Sequence, residues 1–162
     1  MAPAPTPRHQ HFAGGICVQL YKRLADSGCQ VLIAPVDVVL PLAGEADERV
    51  DTVVQPDVLV VCDPARIGEK RVRARDLVVE VLSPATAAHD MILKQRIYEQ
   101  AGVREYWLIH PIDRVLTVYR LEDREFGKPD VQELKGETAV GVSPGVTIQW
   151  DALVTRLPAI DD

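Results

Sequence analysis

No stretch of this 162-residue chain approaches the roughly 18 consecutive apolar residues of a membrane span, which argues against insertion in a bilayer. The opening, Met1 to His11, is proline-rich and lacks the apolar core of a signal peptide, so a cytoplasmic location is expected. Cysteine is scarce. Cys17, Cys29 and Cys62 are odd in number and lack metal-ligand spacing, so they read as reduced thiols, two of them core filler. Positive charge is also short: the formal net charge is −6, which does not advertise a nucleic-acid surface. Ser83 precedes a proline and has no flanking glycines, which argues against a serine hydrolase. His9 and His11 have no third ligand nearby in sequence and are given no metal role. There are no internal repeats.

What remains is an ordinary globular composition, 47% hydrophobic and 26% charged, in a chain long enough for one domain with a real core. Residues 1–11 are expected to form a flexible lead-in and 12–162 the single domain. Charge is unevenly spread. Residues 66–75 hold five basic side chains and one acid, a local +4 that leaves about −10 for the rest. Arg71, Arg73 and Arg75 in this patch are candidate phosphate contacts, and a solvated hairpin loop is the competing reading.

Periodicity predicts a helix over 15–26, with Ile16, Leu20, Tyr21 and Leu24 on its apolar face and Ser27-Gly28 as its stop. Strands are expected at 30–34 and 36–40 around Pro35, with a short edge strand at 50–54 after a polar connection. Further strands are expected at 57–62 and 77–82. A second helix is expected over 87–100, with Thr86 as N-cap and Ala101-Gly102 as its end. Strands at 105–110 and 114–121 read as an antiparallel hairpin, with short strands near 131–134 and 146–150 and a helical turn near 151–154. The strand–helix–strand unit over 77–110 is a β-α-β crossover. The fold class is therefore α/β (α+β), a mixed sheet flanked by at least two helices.

One residue conflicts with its surroundings. Glu80 lies inside Leu77-Val78-Val79-Glu80-Val81-Leu82, an apolar run typical of a strand buried on both faces. A carboxylate there costs roughly several kcal/mol unless cations or donors compensate it. A second acid, Asp57, opens the similar run 58–61. Asp90, Lys94 and Tyr98 are four residues apart and share one face of the helix that follows Glu80. Two acids on buried strands with a lysine nearby are the parts of a divalent-metal phosphodiesterase. Magnesium takes one or two protein carboxylates plus waters and phosphate oxygens, and a lysine can stabilise the charge that develops on the phosphoryl group.

The segments Val54-Gln55-Pro56-Asp57-Val58-Leu59-Val60-Val61, Asp76 through Pro84, Asp90…Lys94…Tyr98 and Gly102 through Leu108 resemble the Uma-two family of "putative restriction endonucleases". Pro7-Arg8-His9 and Pro35-Val36-Asp37 are similar to its earlier segments. That family resembles the PD-(D/E)XK nuclease superfamily, which implies a restriction-endonuclease-like fold. The resemblance makes Asp57 and Glu80 the two catalytic acids and metal ligands. It makes the Val81 carbonyl a backbone ligand and Lys94 the catalytic lysine, with Asp90 and Tyr98 supporting. There are two departures. The superfamily's strand lysine position holds Leu82, so the lysine must come from the helix, and His110 stands where an aspartate is more usual. The implied activity is a Mg2+- (or Mn2+-) dependent endodeoxyribonuclease acting on DNA as a homodimer. The alternative is a catalytically silent nuclease-fold module that binds nucleic acid or protein, favoured by the acidic charge and the few aromatics.

Overall fold

The computed structural model describes residues 4–41, 52–84 and 88–157, without the side chain of His89. Helix α1 (Pro7–Arg23) starts where Thr6 accepts a 3.1 Å hydrogen bond from the His9 amide and Pro7 takes the first helical position. His9, Phe12, Ala13, Ile16 and Leu20 are its buried stripe. The expected start at 15 and the lead-in through 11 are thus corrected. The prolines that read as a breaker include one that favours helix initiation. Tyr21 falls off the stripe and is 69% exposed.

Strands β1 (Gln30–Ile33), β2 (Val38–Val39), β3 (Val53–Val54) and β4 (Val58–Val61) follow, then a single 3-10 turn at Pro64–Arg66. Next come β5 (Leu77–Val81), α2 (Ala88–Gln100), β6 (Glu105–His110) and β7 (Val115–Glu122). The chain finishes with β8 (Glu125–Phe126), β9 (Asp130–Glu133), β10 (Glu137–Ala139), β11 (Thr147–Gln149) and α3 (Asp151–Thr155). The two-residue β8 and the three-residue β10 were not anticipated. Thr86 and residues 42–51 lie outside the described residues.

Seven strands form one mixed sheet in the order β1-β4-β5-β6-β7-β8, with β9 on the free edge of β7. β5 and β6 are parallel and joined through α2, and the other pairs in this sheet are antiparallel. Two cores lie on its two faces. Val58, Val60, Leu77, Val79 and Val81 pack with α1, Trp107 and Trp150, while Leu59, Val61 and Val78 pack with Tyr98 of α2 and Tyr106. Alternation thereby places Glu80 on the α2 face. Among the described residues no helix is long and apolar enough to cross a membrane.

The reading of all three cysteines as thiols is also corrected: Cys29 and Cys62 form a disulfide, and Cys17 is free. They are 33 positions apart in sequence. Pairing of Gln30 with Val61 brings the residues flanking β1 and β4 together, a neighbourhood that spacing alone does not reveal.

Candidate active site

The register of β4 against β5 creates the site. Val58 pairs with Val79 and Leu59 with Val78, so one further step sets Asp57 opposite Glu80. Directly opposed residues have Cβ atoms about 4.5–5.5 Å apart on the same face. Both acids line a polar pocket of about 140 Å³ together with His9, Gln55, Val81, Lys94 and Tyr106. At roughly 30 Å³ of liquid per water, that is space for a small hydrated ion or one phosphate group.

Each acid is held differently. Asp57 accepts a 2.7 Å hydrogen bond at Oδ2 from the Val81 amide, while its Oδ1 lies 3.1 Å from His9 Nε2. Glu80 is 6% exposed; its Oε1 accepts a 2.6 Å bond from the fully buried Tyr98 hydroxyl, and its Oε2 is 3.4 Å from Lys94 Nζ. Lys94 also reaches Asp90 Oδ2 at 3.8 Å, so the stripe predicted on α2 bridges Glu80 to the helix surface rather than facing solvent alone. Burial pushes the Glu80 carboxyl up to about 7; Lys94 and Tyr98 oppose the shift and Asp57 adds to it. His9 is held above its usual value, chiefly by its hydrogen bond to Asp57 and against the effect of burial. Burial and the neighbouring Glu80 raise Tyr98 and Tyr106 well above the normal phenol range.

Asp57, Glu80, Val81, Lys94 and Tyr98 are thus brought together, with Asp90 at the rim. Arg71, Arg73 and Arg75 are not among the residues lining this pocket. They alternate with the buried Val72, Ala74 and Asp76 on an extended segment tied to β2 through the Val39 amide and the Val72 carbonyl. All three therefore project from one exposed face. His11 Nε2 donates a 2.7 Å hydrogen bond to the Leu153 carbonyl, an anchor for α3. Asp37 is exposed and accepts from Gln55 at 2.8 Å. Tyr106 and Trp107 are both buried, in the cores on opposite faces of the sheet. Tyr106 stacks among Tyr98, Tyr119 and Phe126, leaving no face for a base.

The sequence reading missed two pocket groups, His9 and the Tyr106 hydroxyl. His9 shares the 9, 12, 13, 16, 20 periodicity of α1, a signal that emerges once the helix is started at Pro7. Among the described residues, the hydroxyl of Tyr106 and Nδ1 of His9 are buried without a hydrogen-bond partner. A divalent ion suits this chemistry: two carboxylates are the number magnesium usually takes from a protein, and the orphaned polar atoms leave room for its waters. Among the described residues no three His, Cys, Asp or Glu side chains already stand at metal-binding spacing, so carbonyl and water oxygens would complete the set. A larger apolar cavity of about 660 Å³ adjoins at Leu82 and Ser83 and is walled by Pro7, Pro84, Pro111 and Ile112. It holds neither acid.

The family model Uma2, described as "Putative restriction endonuclease", matches residues 1–153. Among solved structures, this chain is similar to a protein from Anabaena variabilis ATCC 29413 described as a putative nuclease belonging to DUF820. The two superpose with a TM-score of 0.74 at 16% identity, over 94% of this chain and 83% of the other. No curated relative matches it. At that identity the structural likeness speaks for the fold.

Proposed function

We propose that this chain, which belongs to the Uma2 family, is a metal-dependent endonuclease that hydrolyses DNA phosphodiester bonds. The observation that carries this reading is the cross-strand convergence of Asp57 and Glu80 in one pocket with Lys94. A carboxylate pushed up to about 7 by burial, with Lys94 and a phenol to compensate it among the described residues, is a group arranged for a further cation.

Asp57, Glu80 and the Val81 carbonyl would hold the ion. When bound, a divalent metal supplies the Lewis acidity that polarises a phosphoryl oxygen and activates water. The chain's own residues supply the rest. Val81 N–H orients Asp57, and Tyr98 O–H orients Glu80. Asp90 steadies Lys94, whose ammonium stabilises charge developing on the phosphoryl oxygens. Water oxygen bonds to phosphorus and gives up a proton to solvent, the bond to the leaving sugar oxygen breaks, and that oxygen takes up a proton from solvent. The adjoining apolar cavity gives space for a flanking nucleotide, and Arg71 and Arg75 add positive charge on one exposed face. A cytoplasmic homodimer with two such sites would cut both strands, and light scattering tests the dimer.

The decisive assay incubates supercoiled and single-stranded DNA with Mg2+ or Mn2+, comparing wild type with Asp57→Ala. Nicking or degradation by wild type, lost by about 10³-fold or more in the variant, is expected. Equal cleavage by both proteins, or none by wild type with either ion, contradicts the reading.

A further inference from the structure

His9 is the pocket group that the nuclease reading leaves without a task. It is 9% exposed and comes from α1, on a different helix from Lys94. Its position is fixed from two sides: the Thr6 side chain binds its amide at 3.1 Å, and Phe12, Ala13 and Ile16 on the same stripe lock α1 to the sheet. Its imidazole faces the groups assigned to the metal. Nε2 is 3.1 Å from Asp57 Oδ1, and the Val81 carbonyl acts on the same ring.

We propose that His9 Nε2 is a ligand to the ion held by Asp57 and Glu80, making the site a mixed nitrogen–oxygen centre that favours first-row transition ions over Mg2+. This inference rests on the metal-site reading above. Two adjacent ligands at right angles on an ion with bonds of roughly 2.1 Å stand about 3.0 Å apart. Nε2 and Oδ1 share a hydrogen bond of 3.1 Å, the length of one such edge, so an ion that displaces the shared proton meets both ligands at that spacing. Neutral imidazole nitrogen is a common ligand for transition ions, whereas magnesium demands oxygen and parts reluctantly with its waters. An all-oxygen pocket serves magnesium without a buried imidazole. The placement of His9 argues for an ion that accepts nitrogen.

Mn2+ is the probe. The wild-type protein, labelled with 15N-histidine, is titrated with Mn2+ and examined by pulsed electron paramagnetic resonance. A directly bonded nitrogen coupling is expected, shifting between 14N and 15N samples and vanishing in His9→Gln, with Mn2+ affinity falling about 10- to 100-fold. His9→Asp, which restores oxygen ligation, lowers the ratio of Mn2+ to Mg2+ affinity by about 10-fold or more. Should His9→Gln not fold, the chain's four histidines allow the converse: replacing His11, His89 and His110 together by Gln retains the coupling. Mn2+ binding that depends on Glu80 but shows no nitrogen coupling, or coupling that survives His9→Gln, overturns the His9 assignment and leaves the metal site standing. Failure of wild type to bind Mn2+ at all overturns the underlying reading as well.

Discussion

Two buried glutamates on adjacent parallel strands of one sheet have opposite surroundings. Glu105 opens β6 and is 1% exposed. Its carboxylate accepts from Trp107 Nε1 at 2.7 Å and from the amides of Gly141 and Val142 at 3.2 and 3.0 Å, with the Arg120 guanidinium 3.9 Å away. Glu80, three residues into β5 and on the opposite face, has one phenol, one lysine and an acid across the strand from it. Glu105 is filled by rigid donors that cannot leave, and it staples the loop before β11 to the sheet. Glu80 faces a small pocket, and its charge is under-compensated. Burial of an acid is therefore no sign of function by itself; what counts is whether its lone pairs are spoken for by the backbone.

If that contrast is right, deleting the two acids has opposite consequences for stability. Glu105→Ala leaves an indole and two amide donors buried without an acceptor and should cost about 3–5 kcal/mol. Glu80→Gln, measured in chelator at pH 8, should be neutral or stabilising, since it removes a charge the fold does not want. Urea unfolding of both variants checks this, and a Glu80→Gln protein as damaged as Glu105→Ala would erase the distinction.

The same contrast predicts a pH dependence. The Glu80 carboxyl lies at about 7 when folded against an ordinary value of 4.5, so the folded chain binds more protons in that window. Its contribution is full below pH 4.5 and is lost as pH rises to about 7, a change of about 3 kcal/mol in the metal-free protein. His9, also raised, adds a loss of the same sign as pH passes through its folded value. Unfolding curves in chelator from pH 4 to 8 should show the decline in wild type and less of it in Glu80→Gln.

A smaller effect sharpens the Glu105 side. A Cβ on Gly141 would sit 2.7 Å from Glu105 Oε2 and 3.2 Å from Arg120 Nε. Gly141→Ala should therefore push the loop from its acceptor and cost about 1–3 kcal/mol, with the proposed DNA cleavage otherwise unchanged at temperatures where the protein stays folded.

Much of this was legible in the chain. The apolar run around Glu80 announced a strand buried on both faces, and β6 falls at Glu105–His110 as its pattern predicts. The Pro111-Ile112-Asp113 connection gave the antiparallel pairing of β6 with β7. The acids and Lys94 could be picked because a charge in an apolar strand is a local anomaly. Other features depend on long-range register and carry no local mark. The Cys29–Cys62 disulfide needs β1 beside β4, and the partners of Glu105 come from a loop about 36 residues downstream. His9 was hidden for a different reason: prolines at 3, 5 and 7 mask a helix whose cap is the threonine between them.

The function proposed for this pocket requires that the charge of Glu80 await a cation. Thermal unfolding of wild type, Glu80→Gln and Glu105→Gln at pH 8, with chelator and then with Mg2+ or Mn2+, tests it most directly. The ion should raise the melting temperature of wild type by mass action and do the same for whatever folded fraction of Glu105→Gln remains, while leaving Glu80→Gln unmoved. A Glu80→Gln protein stabilised by metal as strongly as wild type would show that Glu80 is no ligand, and the catalytic assignment would fall with it.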